Sequence, residues 1–407
     1  HDTDAARAGF RPQIAANAGY GRQRENYITG RPMNTGVAEV TLRQLLWDGA
    51  RTTAYAEEFG AIELISYFEM LESGENTALE AFRAYQDVLR QRELLRLAEE
   101  NLESHRGVFD QIAESAEAGV ARTADLEQIS GRQALAETNV ITERSNLHDV
   151  TARYLRIVGE MPSQQLAGYE LEHGLPSNIS DTLMQAYQHS PRYHATLRNI
   201  AAAEASTRAR DAEFRPRLNL TARYGIQDRD EFGFRESHSD GRIGVELTYD
   251  LYTGGRRNAN TRRAYEVENS ARSLRDRACV DIRQTVQIAF NDMNRLAEQL
   301  PILNQHRLSS DRVRTAYKQQ FDIGDRTLLD VLDSENEYYD ASRAWTNASY
   351  DRDIAAARTL AAMGLLLETL RVGREDMPSL SELGAEPIPV DPATACPTYD
   401  IYDSIRR

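Results

Sequence analysis

Apolar and polar residues alternate along four stretches of this chain. In 215–227, Leu218, Leu220, Ala222, Tyr224 and Ile226 share one side, and Arg217, Asn219, Thr221 and Arg223 the other. In 242–252, Ile243, Val245, Leu247, Tyr249 and Leu251 oppose Arg242, Glu246, Thr248 and Asp250. Ile14, Ala16, Ala18 and Tyr20, then Ala38, Val40 and Leu42, repeat the pattern more weakly. A period of two marks a strand with unlike faces. It predicts strands over about 11–23, 36–47, 215–227 and 242–252, with a polar loop over 228–241. Elsewhere the period becomes helical. The stretches 51–117 and 256–318 contain one proline, Pro301, and sixty residues of helix span roughly 90 Å. Leu95, Leu102 and Phe109, interleaved with Ala98, His105 and Ile112, both step by seven, the spacing of a coiled-coil seam. Return helices are predicted over about 123–158 and 327–364, the second lined by Ala341, Ala344, Ala348 and Ala355 to Ala357.

The chain is also written twice. Ala84-Tyr85-Gln86-Asp87 returns as Ala289-Phe290-Asn291-Asp292, 205 residues on, and Leu46-Trp47-Asp48-Gly49 as Leu251-Tyr252-Thr253-Gly254. Gly119 with Asp125 returns as Gly324 with Asp330. A constant offset across half a chain means structural duplication. The expected organisation is a first repeat over 1–160, a linker over 161–180, a second repeat over 181–364 that opens with a helix over about 181–213, and a tail over 365–407 that wraps the helical body or is mobile. Each repeat reads strand, strand, long helix, turn, long helix. The helix before the second repeat has no full counterpart before the first, so the expectation is that a leading N-terminal helix is missing from the chain.

Composition narrows the class of function. The net charge of −15 argues against a nucleic-acid footprint. The scattered histidines show no paired ligand spacing, and no nucleophile or phosphate-loop motif is present. No catalytic, metal or cofactor site is expected. Cys279 and Cys396 either pair in an oxidising compartment or stay free. No run of about 18 apolar residues exists to form a membrane helix.

Strands of about ten residues can cross a bilayer when tilted. Four of them cannot close a barrel, and a spanning sheet with free edges leaves backbone groups unsatisfied in lipid. Further chains would have to complete it: three copies give twelve strands, two or four give eight or sixteen. The rival reading from alternation alone is a water-soluble sandwich or coiled-coil scaffold with no pore.

The second turn contains Gly324-Asp325-Arg326-Thr327-Leu328-Leu329-Asp330-Val331-Leu332-Asp333. Here the chain resembles the TolC family of outer-membrane channel proteins, whose second hairpin tip carries Gly-x-Arg-Thr-x-x-Asp-Val-Leu-Asp; the resemblance runs over about 11–364. It implies an α+β membrane protein of the bacterial outer membrane and periplasm. The implied assembly is a homotrimer with a twelve-stranded β-barrel continuous with a twelve-helix coiled-coil tunnel. By the same match Asp330 and Asp333 would form acidic rings at the pore constriction, favouring cations and raising one another's pKa. Arg326 would tether a neighbouring helix pair to close the iris. Asp125 would link to the aromatic three before the second-repeat glycine, here Phe321, which lacks the hydroxyl such a bond needs. Gly119, Val120, Gly324 and Asp325 at the exposed tips would meet a periplasmic adaptor. The plain alternative for Thr327 and Asp330 is a capping box, for Asp333 a solvated surface group, and for Arg326 a surface ion pair worth little.

The tip run, and Ala355-Ala356-Ala357-Arg358-Thr359-Leu360-Ala361-Ala362-Met363-Gly364, look most like the branch that exports large adhesins, of the LapE type. That branch implies type I secretion with an adaptor, an inner-membrane ABC transporter and an exported protein. The alternative is drug or metal efflux with another pump.

Overall fold

The computed structural model describes residues 2–24, 32–119, 122–169, 171, 175–231, 234–374, 376–391 and 396. Its elements in chain order are α1 (Asp2–Arg7), β1 (Gln13–Arg24), β2 (Pro32–Trp47), α2 (Arg51–Glu117), α3 (Thr123–Val158), α4 (Ile179–His189), α5 (Pro191–Asp211), β3 (Arg217–Glu231), β4 (Phe234–Thr248), α6 (Arg256–Asp322), α7 (Leu328–Met363) and α8 (Leu366–Leu370). Two compact units result, one of His1–Glu69 with Arg192–Ala278 and one of Met70–Pro191 with Cys279–Arg407.

The first unit is built on one antiparallel sheet in the order β1-β2-β3-β4. The two hairpins of the duplication meet at β2 and β3, where Val40 lies opposite both Ala16 and Tyr224. Because side chains alternate across a strand, this register puts Ile14, Val40, Tyr224 and Ile243 on one face, and all four are exposed. Arg43, Glu39, Arg217, Arg223 and Glu246 lie on the other face. There Arg223 bridges to Glu39 at 3.0 Å, and Arg43 approaches Glu246 at 3.7 Å.

The strands differ from the expected bounds at both ends. Toward the hairpin loop β3 runs on to Glu231 and β4 begins at Phe234, inside the stretch that side-chain polarity predicts to be a loop: Asp228 pairs with Ser237 and Glu231 with Phe234. Alternation fades in that polar stretch, but a ladder needs only backbone donors and acceptors. At the other end β1 starts after Pro12, and β3 starts after Pro216 opposite Thr248. Proline has no N–H to give the ladder, so β4 stops at Thr248 and not at 252.

Asp48 turns the first hairpin into helix. Its Oδ1 accepts the Arg51 amide at 3.0 Å, and its Oδ2 accepts the Thr52 amide at 2.9 Å and the Thr52 hydroxyl at 2.6 Å, satisfying donors that a helix start leaves open. Gly49, at φ +73°, makes the turn; a Cβ there would lie 2.6–2.7 Å from the Arg215 side chain.

The second unit is helical. The seven-residue spacing on α2 marks its core: Ala98, Leu102, His105 and Ile112 are buried, and Leu97, Ala98 and Leu102 pack against Ala136, Val140 and Tyr339. His105 is a core residue whose Nδ1 lies 2.8 Å from the Asn101 carbonyl. Ala341, Ala348 and Ala355 to Ala357 are buried along α7, whereas Ala344 faces outward.

The single helix expected over 181–213 is two, α4 and α5, broken at Ser190 and Pro191. The proline ring pushes the residue before it out of the helical region, and Ser190 takes φ −59° and ψ 117°. The break serves packing. Gly364 ends α7 at φ +77°, and a Cβ on it would lie 2.6 Å from Pro191 Cδ and 2.8 Å from the His189 carbonyl. Past α7, Glu75 of α2 accepts the amides of Leu366 and Leu367 at 3.0 and 3.3 Å, holding the start of α8. A disulfide joins Cys279 of α6 to Cys396.

Candidate functional site at the hairpin tips

Helix α6 ends in a paired turn. The Asp325 amide donates to the Gln320 carbonyl at 2.8 Å and the Gly324 amide to Phe321 at 2.9 Å, with Gly324 at φ +80°. This is the Schellman closure, which favours glycine at the left-handed position. Two residues on, Thr327 caps α7. Its hydroxyl accepts the Asp330 amide at 3.3 Å and donates to Asp330 Oδ2 at 2.8 Å, and its own amide donates to the same oxygen at 3.2 Å. The capping box is therefore complete.

Those bonds hold the half-exposed Asp330 carboxyl below the usual carboxylate range: the Thr327 hydroxyl contributes most and the Thr327 amide next. Within one protomer these donors, joined by nearby Arg326, outweigh the upward push of burial. Arg326 also serves its own hairpin. Its Nε donates to Gln320 at 2.9 Å, its guanidinium lies 4.2 Å over the Tyr317 ring, and its Nη1 stands 3.9 Å from Asp330.

The first tip shares the turn but not the cap. Gly119 has φ +77°, while Arg122 at the start of α3 makes no side-chain cap. Val120 lies outside the described residues. Asp125 stands in the first turn of α3, and among the described residues no hydrogen bond joins it to Phe321. Phe321 instead packs on the apolar cluster of Val108, Ile112, Ile129, Leu328, Val331 and Leu332. The ring has no hydroxyl to bond Asp125, and its contacts within the chain are apolar.

That cluster joins the two hairpins, and an ion pair beside it does the same: Arg132 of α3 donates to Asp333 at 3.0 Å. Within one chain Asp333 is both exposed and paired. Asp330 and Asp333 face one groove of about 370 Å³ on the second hairpin, with His306, Ser310, Tyr317 and Glu337. His306 Nε2 lies 3.0 Å from Glu337. Among the described residues no cluster of three or more His, Cys, Asp or Glu could hold a metal.

Sequence reasoning missed Arg132 and a second cross-hairpin network. The buried Glu143 of α3 accepts Arg343 of α7 at 2.9 Å and Asn146 at 3.1 Å, and also bonds Gln91 of α2. A signal existed. At the common offset Arg132 answers to Glu337 and Glu143 to Ala348; charge that breaks the duplication points to contacts between the repeats.

Comparison with known proteins agrees with this geometry. Residues 182–365 match the family described as outer membrane efflux protein. The chain is 25% identical to the outer membrane efflux protein BepC of Brucella suis, over 88% of this chain and 78% of that one. It is 25% identical to the outer membrane protein TolC of Salmonella enteritidis, over 96% and 81%, and 23% identical to the alkaline protease secretion protein AprF of Pseudomonas aeruginosa, over 85% and 73%. Among solved structures, the CmeC outer membrane channel of Campylobacter jejuni superposes with a TM-score of 0.77 at 16% identity, covering 89% of this chain and 80% of that one.

Proposed function

We propose that this chain, a member of the outer membrane efflux protein family, acts as a homotrimer and is the outer-membrane exit duct of a tripartite export system. Its place is the outer membrane, and its work is transport and not catalysis. The observation that carries the trimer is the sheet: four strands with one exposed apolar face and two open edges, β1 and β4. In lipid those edges need partners, and a three-fold axis closes twelve strands. An open seam on α3 supports it. Thr138, Ile141, Ser145, His148, Ala152 and Leu155 step by three and four and are all exposed, as positions awaiting a neighbouring helix would be. A twelve-helix duct then follows from four long helices per copy.

In that assembly Asp330 and Asp333 line the constriction as rings of carboxylate that favour cations, and Arg326 and Asp125 take part in its closure, with Phe321 packed behind. Gly119, Val120, Gly324 and Asp325 present the tips to a periplasmic adaptor. The cargo in this reading is a large adhesin-like protein delivered by an inner-membrane ABC transporter; similarity to a protease secretion protein supports the secretion class. The second reading, efflux of small molecules, draws on the similarity to BepC.

Single-particle imaging of the detergent-extracted protein should show three-fold rings, and a monodisperse monomer would overturn the proposal. In planar bilayers the wild type should prefer cations. The double variant Asp330→Ala, Asp333→Ala should lose most of that preference, and an unchanged reversal potential would remove the ring assignment.

A further inference from the structure

The two repeats start their long helices with different charge. At α2 the N-terminal donors are taken by Asp48, a buried carboxylate. The matching position before α6, at the 205-residue offset, is Thr253, followed by Gly254 and Gly255. Where the second repeat has lost its carboxylate, the first unit has a cavity of about 350 Å³. Six arginines line it, Arg51, Arg210, Arg215, Arg217, Arg256 and Arg257, against three carboxylates, Asp48, Glu213 and Asp250.

Those carboxylates do not neutralise the cavity. Asp48 keeps its charge while accepting the α2 amides, and three carboxylates stand against six guanidinium groups. Glu213 serves both Arg51, at 3.1 Å, and Arg210, at 2.9 Å. Arg215 donates to the Gly49 carbonyl at 2.9 Å, and Arg257 to the carbonyls of Glu213 and Asp250 at 3.1 and 2.7 Å; a carbonyl cancels no charge. Arg217 and Arg256 are exposed and have no ion pair among the described residues. The Nε donors of Arg51 and Arg257 are buried without a partner, and buried donors are ordinarily satisfied. An adjoining cavity of about 310 Å³ shares Asp48, Arg51 and Arg217 and adds Arg11 and Arg43.

We infer that this pocket binds a phosphate-bearing anion. Guanidinium forks match the oxygen geometry of phosphate, often in bidentate pairs, and an excess of positive charge walled by protein raises the local concentration of anions. Arg217 lies on the polar face of the sheet, where β3 meets the turn into α6. The anion is either the headgroup of a phospholipid or a phosphate-bearing solute. The pocket is complete within one protomer, so its test does not depend on the trimeric duct.

The test uses the full-length detergent-solubilised protein, with pyrophosphate and short-chain phosphatidylglycerol titrated separately by calorimetry at low salt. Saturable binding of at least one probe is expected, weakened tenfold or more by Arg217→Gln with Arg256→Gln, and partly by Arg256→Gln alone. Both residues are exposed, so circular dichroism and thermal unfolding should stay as in the wild type. Binding of the lipid only would assign a headgroup, and binding of pyrophosphate would assign a soluble phosphate. No saturable binding of either probe, or binding equally strong in folded variants, would overturn the proposal.

Discussion

The two hairpin tips share a turn and differ in almost everything else. Gly119 and Gly324 adopt the same left-handed backbone, at φ +77° and +80°. Yet, among the described residues, only the second is followed by a complete capping box, and the second carries Asp330 and Asp333 on a groove where the first has Asp125 and Gln128. Duplication kept the geometry of reversal in both copies and concentrated the chemistry in one. The first tip supplies what the second needs, Arg132 for Asp333 and an apolar wall for Phe321.

The contrast can be broken most forcefully in the core. Leu332 is fully buried in the cluster that joins the hairpins, while its first-repeat counterpart, Glu127, is exposed. Leu332→Ala should lower stability by about 2–5 kcal/mol and Glu127→Ala by less than about 0.5 kcal/mol, read from denaturant midpoints. Equal losses would mean that the hairpins are interchangeable.

A second asymmetry is open to pH. Glu75 is buried, whereas its counterpart Val280 is half-exposed. Burial pushes the Glu75 carboxyl up to about 7, against the pull of the Leu367 and Leu366 amides and with help from nearby Glu368. A folded-state value above the unfolded one near 4.5 means that folding favours the protonated form. The stability this contributes is fully present below about pH 4.5 and is lost as pH rises through about 7. Glu75→Gln should flatten the dependence of unfolding midpoint on pH in that window, and an unaltered slope would count against it. The smallest effect belongs to the caps. Thr327→Ala should cost about 1 kcal/mol and speed amide exchange at the start of α7, while Arg122→Ala, at an uncapped start, should change little.

Much of this fold is legible without coordinates, for reasons that also mark the limit. Helix α2 announces its core because Ala98, Leu102, His105 and Ile112 hold one seven-residue seam over several turns. The tip turn is legible because glycine and threonine have narrow backbone uses. The break at Pro191 is a local steric signal that a helical period over 181–213 conceals. The polar ends of β3 and β4 cannot be read from alternation, because backbone pairing leaves no trace in side-chain polarity. Arg132 and Glu143 escape for a different reason: partners some 200 residues away in sequence, Asp333 and Arg343, give no local pattern.

The bond from Cys279 to Cys396 has a consequence for synthesis. Its second cysteine lies beyond every helix and strand described. A nascent polypeptide therefore has both repeats behind it before this covalent ring, whose cysteines are 117 positions apart, can shut. Shutting it certifies that the whole duplicated body has been made, and any product cut short before Cys396 is left with a solitary thiol on α6.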